Sequence, residues 1–321
     1  ALESIGGLCL TPLMQTQIDR NNNHMRIMRS AVDNTSWKMA TKNPNIQVWA
    51  QATGDHSELH GDGNGSGYKR DAWGGTVGVE RAFQMYKLQA GMAFSYDSED
   101  WTAMGNKNRN NTSYLDFYVR KDTKQWHHYG LVGLSQTDIG ADRTVAFGNY
   151  YNKALGDTSA FATYASYEAA YDARVRQDSV FQLIGQVQIG YHTIDGYTEH
   201  GPIGNAGLNI EGQNALSVEL GVGGRYYESF SSIATAARVG FKALFTYDAA
   251  DQGAPTHASF IADPSTSYFM KPARESRYGG LFGIDLTMPY DQNVSFYMGG
   301  TFEVKSSANN ITGNIGVVYT F

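Results

Sequence analysis

The chain has 321 residues and a formal net charge of −6, from 25 Lys and Arg against 31 Asp and Glu, which argues against a basic nucleic-acid-binding surface. Charged residues are sparse at 17% and aromatics reach 13%. The chain also has 36 Gly and 21 Tyr but only 7 Pro, which argues against a disordered or linker-rich chain. The mean hydropathy is nonetheless polar, at −0.40, as expected of a sheet with one face in lipid and the other in water. The single cysteine, Cys9, forms no intrachain disulfide, and no CxxC pair suggests a zinc or redox site. No stretch approaches the ~18 apolar residues of a membrane helix. The opening ALESIGG lacks the basic start and apolar core of a signal peptide, so an exported chain is expected to be a mature form or a fragment.

In chain order, Thr11-Pro12 reads as an N-cap followed by proline in the first turn. From Leu13 to about Asn34 there is no Pro, no Gly and no period-two alternation, which predicts a helix. Its apolar residues (Leu13, Met14, Ile18, Met25, Ile27, Met28, Val32) are interrupted by Gln15, Gln17, Asp19, Arg20, Asn21, Asn22, Asn23, His24, Arg26 and Arg29. No broad apolar face is expected, either for a core or for a bilayer. About 22 residues span about 33 Å, near the thickness of a hydrocarbon core. The segment has a membrane-crossing length and the wrong surface for lipid.

Beyond Pro44 the period becomes two. About twelve alternating segments are predicted, near 46–54, 70–82, 86–98, 111–122, 126–138, 158–174, 179–194, 214–226, 236–248, 276–288, 294–305 and 310–321. In the third, Tyr86, Leu88, Ala90, Met92, Phe94 and Tyr96 oppose Lys87, Gln89, Gly91, Ala93, Ser95 and Asp97. These segments are longer than ordinary globular strands and match the ~9–11 residues that cross a bilayer at a tilt. Short connections near 83–85, 123–125, 175–177 and 289–293 alternate with long polar ones near 55–69, 99–110, 139–157, 195–213 and 249–275. Membrane barrels are built with that asymmetry. A soluble β-sandwich also alternates, but its outer face would carry dense charge. The expected fold is all-β, a 12-stranded antiparallel transmembrane β-barrel. The inward faces are expected to carry Glu80, Asp116, Arg120, Glu168, Asp172, Arg174, Glu219, Arg225, Arg238, Lys242, Arg277, Asp285 and Glu303.

Five segments, NIQVWAQATG, GDGNGSGYKRDAWGGTVGVE, DRTVAFG, PARESRYGGLFGIDLTMPYDQNVSFYMGG and the closing GNIGVVYTF, together resemble the β-domain of bacterial autotransporters, the translocators of type V secretion. The resemblance runs from about residue 10 to 321. It implies a helix inside the barrel lumen that links the pore to an exported N-terminal passenger. Residues 1–44 are then linker and plug helix, and 45–321 the barrel. Arg20, Arg26 and Arg29 would pair with lumen carboxylates. Tyr319 and Phe321 would be the signal read by the barrel-assembly machinery, after delivery by periplasmic chaperones. The implied place is the outer membrane of a Gram-negative-type bacterium. The implied partners are outer-membrane lipid and the chain's own passenger, with no nucleic acid, and the barrel is expected to be monomeric. The family's long passenger is absent from the sequence, so a cleaved translocator, a truncated chain and a stand-alone pore or anchor remain alternatives.

Some members of that family cut the pore helix by asparagine cyclisation, which makes Asn21, Asn22 and Asn23 candidates for a single-turnover cleavage. A hydrolase would need paired carboxylates with histidine near the rim, and Asp97, Glu99, Asp100, His56 and His60 are the candidates. Asp62, Asn64, Ser66 and Gly67 imitate the start of a calcium loop, but its twelfth position is Trp73. His127 and His128 are adjacent on a strand and are expected to point oppositely. No metal site, cofactor or ATP site is expected, and the chain is not expected to be an enzyme.

Overall fold

The computed structural model describes residues 5–39, 46–231, 236–250 and 254–321. A short 3-10 turn, Leu8–Leu10, leads into helix α1 (Leu13–Met39). The strands that follow are β1 (Ile46–Leu59), β2 (Tyr68–Phe83), β3 (Leu88–Ala103), β4 (Asn106–Asp122), β5 (Trp126–Gly140) and β6 (Arg143–Phe147). Then come β7 (Tyr150–Ala154), β8 (Asp157–Val175), β9 (Ser179–Ile194), β10 (Tyr197–Thr198), β11 (Leu208–Ile210) and β12 (Gln213–Ser231). Last are β13 (Ala236–Asp248), β14 (Thr256–Phe260), β15 (Asp263–Met270), β16 (Tyr278–Pro289), β17 (Val294–Lys305) and β18 (Ala308–Thr320).

Twelve of these strands close an antiparallel barrel in the order β1-β18-β17-β16-β13-β12-β9-β8-β5-β4-β3-β2. The seam is fully paired, from Gln47↔Thr320 to Leu59↔Ala308, which leaves no free edge. Alternation sorts the side chains as the sequence predicts. Phe94, Phe117, Phe161, Phe241, Phe282, Phe296, Ile311 and Ile315 are exposed on the outside, while Ser95, Asp116, Tyr164 and Glu303 are buried on the inside. Among the described residues no helix is long and apolar enough to cross a membrane.

Two expectations are corrected. Residues 99–110 form no loop. Strands β3 and β4 run on past the wall to a two-residue turn, where Met104 and Gly105 both take positive φ, as a tight twisted hairpin requires. The other long connections do exist, and they carry a four-stranded sheet, β10-β11-β14-β15, and the hairpin β6-β7. Thr11 also does not cap the helix. Its hydroxyl donates back to Leu8 O at 2.9 Å, and the first helical bond runs from Thr16 N to Pro12 O.

Four of the glycines in the wall have a geometric cause. Inside the wall, aromatic rings lie flat over a glycine directly across the strand pair, as in Trp49↔Gly78, Tyr118↔Gly91, Tyr164↔Gly133 and Tyr297↔Gly316. A Cβ on Gly316 would lie 2.3 Å from Tyr297, and one on Gly78 2.3 Å from Trp49. Only glycine lets the rings lie against the wall, which leaves the axis clear for α1.

Candidate functional site

Helix α1 fills the barrel axis, entering from the long-loop end, and it is held in two different ways. At the long-loop mouth its first turns are packed among apolar residues. Cys9, Leu10, Leu13, Met14 and Ile18 form one cluster with Leu59, Tyr68, Trp101, Ile139, Ile194, Leu208 and Met270. Burial pushes the Cys9 thiol up to about 12, against the pull of nearby Arg143. Arg143 fastens this cap from within. It donates Nε to Glu199 Oε1 at 2.7 Å, Nη1 to Ile5 O at 3.1 Å and Nη2 to Ala206 O at 3.0 Å. Glu199 Oε2 in turn accepts the Leu208 backbone N–H at 2.9 Å. One buried ion pair thereby ties two outer loops to the segment preceding the helix.

Along the lumen the hydrogen bonds and ion pairs of the helix go to many strands of the barrel. Gln15 donates Nε2 to Asp19 at 2.9 Å and to Glu275 at 2.8 Å. A directed chain crosses the helix at Asn21. Ser135 Oγ donates to Asn21 Oδ1 at 3.1 Å, and Asn21 Nδ2 donates to His192 Nδ1 at 3.1 Å. His192 Nε2 therefore carries the ring proton and meets Ser217 Oγ at 3.0 Å, which passes its own proton to Gly190 O. In that tautomer His192 cannot accept the Ser217 proton, so the pair is no nucleophilic dyad. Asn23 donates to Asp55 at 2.6 Å. His24 contacts Asp116 at 2.8 Å, stacked on Tyr114 at 3.8 Å, and Tyr164 donates to the other Asp116 oxygen at 2.7 Å.

Arg26 and Arg29 are the main anchors. Arg26 grips Glu303 through both terminal nitrogens, at 2.6 and 2.9 Å, and also reaches Glu219. Arg29 reaches Glu168 and Asp33, each at 2.6 Å. Asp33 is shared with Arg225 and with Arg120 at 3.2 Å. Lys242 meets Glu168 at 3.4 Å. Ser30 donates to Asp285 at 2.6 Å, and Arg238 donates to Asp33 O at 2.9 Å. Bidentate geometry and shared carboxylates are what a buried charge needs if it is to remain charged.

The remaining candidates fall in different places. Arg20 contacts no carboxylate within ion-pair distance among the described residues, bonding instead to Gln17 and, at 2.7 Å, to Thr137. Glu80 accepts from Tyr118 at 3.0 Å, and Asp172 pairs with His127 at 3.0 Å near the short-turn end. Arg174 and Arg277 are exposed, which corrects their placement on the inner face. A bulge between Asp172 and Arg174 resets the alternation, and Arg277 lies outside β16 in the preceding turn. The hydrolase candidates are not brought together. Asp97 and Glu99 point into the lumen, whereas Asp100 and Asp71 are exposed and engaged by Arg109 and His56. The carboxylate of Asp62 accepts the backbone N–H groups of Asn64, Gly65 and Arg274 and so shapes a loop. Among the described residues no cluster of His, Cys, Asp and Glu is arranged to hold a metal.

Sequence reasoning missed Asp33, His24, Asp55 and Arg143. Arg29 and Asp33 stand four apart on a helix, a spacing that pairs charges, and that signal was available. The helix's apolar residues were also undervalued. Met25, Met28, Ala31 and Val32 bury against Tyr114, Tyr118, Tyr129, Tyr164 and Tyr297, aromatic rings that make an inner core in a wall expected to be wet.

Residues 48–301 match the family described as Autotransporter beta-domain. The chain belongs to that family. The translocator domain of autotransporter NalP from Neisseria meningitidis has TM-score 0.71 at 13% identity, covering 94% of this chain and 98% of that one. The beta domain of the Bordetella autotransporter Brka has TM-score 0.63 at 12% identity, covering 86% and 100%. The transport unit of AIDA-I from Escherichia coli has TM-score 0.55 at 13% identity, covering 91% and 98%. These likenesses show the fold. No curated protein matches the sequence. Autotransporter β-domains sit in the bacterial outer membrane, and their role is passenger export, so the chain is an outer-membrane translocator domain. Translocator domains are transport units and not enzymes. In such barrels the short turns face the periplasm and the long loops face outward.

Proposed function

We propose that residues 1–44 serve as both link and plug, and residues 45–321 as the wall through which an N-terminal passenger reaches the surface. The observation that carries this is the path of the chain. Ile5 sits in the outer cap, and α1 runs from there through the lumen toward the periplasmic end. A chain arrested in that path has its upstream part outside. Once α1 is seated, the buried Arg26 and Arg29 clusters keep the pore shut. Conductance in planar bilayers tests the plug: the intact chain should pass little current, and deletion of residues 1–40 should open a stable pore. A large current unchanged by the deletion overturns the reading. A folded reporter fused ahead of Ala1 tests export: surface display supports it, and retention in the periplasm favours a stand-alone pore.

The barrel is read as delivered by periplasmic chaperones and inserted by the barrel-assembly machinery. Tyr319 and Phe321 face outward at the periplasmic end in a T-shaped pair 4.9 Å apart, and they are read as its signal. Phe321→Ser should lower the amount of folded barrel in the outer membrane while leaving refolding in detergent unchanged. Unchanged membrane levels would remove the signal role.

Self-cleavage is not part of the proposed role. The amides of Asn21 and Asn23 are engaged by His192, Ser135, Asp55 and Arg26. Asn22 lines a space it shares with Asp19, Glu275 and Glu303. Cyclisation there would join Asn22 Nδ2 to its own carbonyl carbon and break the Asn22–Asn23 bond. Intact-mass measurement of protein from the native membrane decides the matter, because a chain beginning at Asn23 overturns the uncleaved reading.

A further inference from the structure

On the lipid-facing wall, a groove of about 410 Å³ runs over β4, β5, β8 and β9, lined by Phe117, Val119, Gly130, Val132, Tyr167 and Ile189. Its floor is Gly130, which stands directly across from Val119 on one side and Tyr167 on the other. A missing side chain between two large ones makes the channel. One outward position below Gly130 is His128, opposite Lys121. His128 Nδ1 lies 2.7 Å from Tyr167 Oη, a hydrogen bond that ties the imidazole to the phenol. Trp126 stacks on His128 at 6.1 Å. An aromatic platform beside the Lys121 ammonium therefore closes the periplasmic end of an apolar channel.

Cations outnumber acids around this foot, where Asp122 is held by Arg120 and His127. Arg81, Lys87, Lys121, Lys124, Arg174 and Arg176 all lie exposed at the periplasmic ends of β2 to β9, and among the described residues none makes an ion pair. The opposite arc, residues 226–231 and 289–294, has no Lys or Arg in its sequence. A second lipid-facing groove, beside Phe181, Gly224 and Phe241, has Glu228 near its foot, held by Tyr226. The two grooves are alike in apolar lining, but Lys121 stands at the foot of the first and Glu228 near that of the second.

We propose that the Gly130 groove is a binding site for a phospholipid with an anionic headgroup in the periplasmic leaflet. One acyl chain lies over Gly130, and the phosphate sits against the Lys121 ammonium beside the His128 ring. From Lys121 to Phe117 is about 13 Å along the strand, close to half of a hydrocarbon core of about 30 Å. The site thus spans a single leaflet. It rests on the membrane placement of the barrel and not on the plug. Its occupant would brace β4, β5 and β8 from outside, opposite the face where Asp116 and Glu168 hold the helix.

The test uses the full chain, reconstituted in nanodiscs of equal phosphatidylglycerol and phosphatidylcholine and released for native mass spectrometry. The wild type should retain phosphatidylglycerol in preference. Lys121→Gln should lower that preference about fivefold, the equivalent of one surface lysine, and Lys121→Arg should keep it. Gly130→Leu should abolish retention with every cation still present. A Cβ there would meet only Val119, at an ordinary 3.5 Å, so the wall tolerates it. Wild type in 1 M salt gives the same reading without a mutation, and its preference should fall. Equal retention of the two lipids by the wild type overturns the proposal. So does a preference unmoved by Lys121→Gln, Gly130→Leu and salt.

Discussion

At the outer mouth, α1 is held by apolar burial, with Leu10, Leu13, Met14 and Ile18 packed against Trp101, Ile139 and Leu208. Two turns deeper the same helix is held by Arg26 and Arg29 among Glu219, Glu303 and Glu168. The contrast shows what each region resists. An apolar seal excludes water at the surface, where the chain leaves the barrel, and its strength depends on fit and contact area. A buried charge cluster adds little net stability over an apolar equivalent but makes any misplacement of the helix costly, since each lost partner strands a buried charge. The mouth closes the pore and the lumen fixes the register.

Experiments that break this division should show graded effects. The largest is expected from Arg26→Ala, which strands Glu219 and Glu303. Denaturant unfolding in detergent should show a loss of about 3–5 kcal/mol, and replacing both glutamates with glutamine in the same chain should recover much of it. Leu13→Ala should cost about 2–5 kcal/mol, as a cavity in a packed site does. This variant should loosen the cap while the lumen stays in register. Maleimide labelling of Cys9 reports that locally, being very slow in the wild type and faster in Leu13→Ala, with the barrel still folded. Labelling of wild-type Cys9 at the rate of an exposed thiol would mean that the mouth is not sealed. Gly316→Ala should cost about 1–3 kcal/mol by overpacking against Tyr297, measured by the same unfolding, with part of the loss recovered by Tyr297→Ala. Arg109→Ala, which removes an exposed pair with Asp100 above the membrane, should change nothing measurable, because solvent screens such pairs. A clear loss there would show that the β3–β4 extension belongs to the cap.

The barrel wall was readable because its physics is local. Period-two alternation in Met92, Phe94 and Tyr96 against Ala93 and Ser95, repeated twelve times, assigns the wall strands and most of their faces without knowledge of the partner strand. Turn residues marked most connections. The exceptions have local causes: the bulge after Asp172 that turned Arg174 outward, and the polar run of 99–110 that proved to be strand on both arms. The helix was visible as a helix, but its partners were not. Arg26 meets Glu219 and Glu303, which are 193 and 277 residues away, and nothing local in the chain encodes those distances.

Sequence alone determined that this chain is a twelve-stranded wall with lipid on one side and a polar-length helix to be housed on the other. Alternation and helix period depend only on near neighbours, and the bilayer imposes one length on every strand. Tertiary structure alone decided what the inside would be. Closing the ring brought Gly78, Gly91, Gly133 and Gly316 under aromatic rings and gathered Met25, Met28 and Val32 into a core among tyrosines. It also set Arg143 and Glu199 beneath the outer loops. Those contacts exist only once distant strands share one axis, because the inner face of a closed barrel is a surface that no single strand possesses.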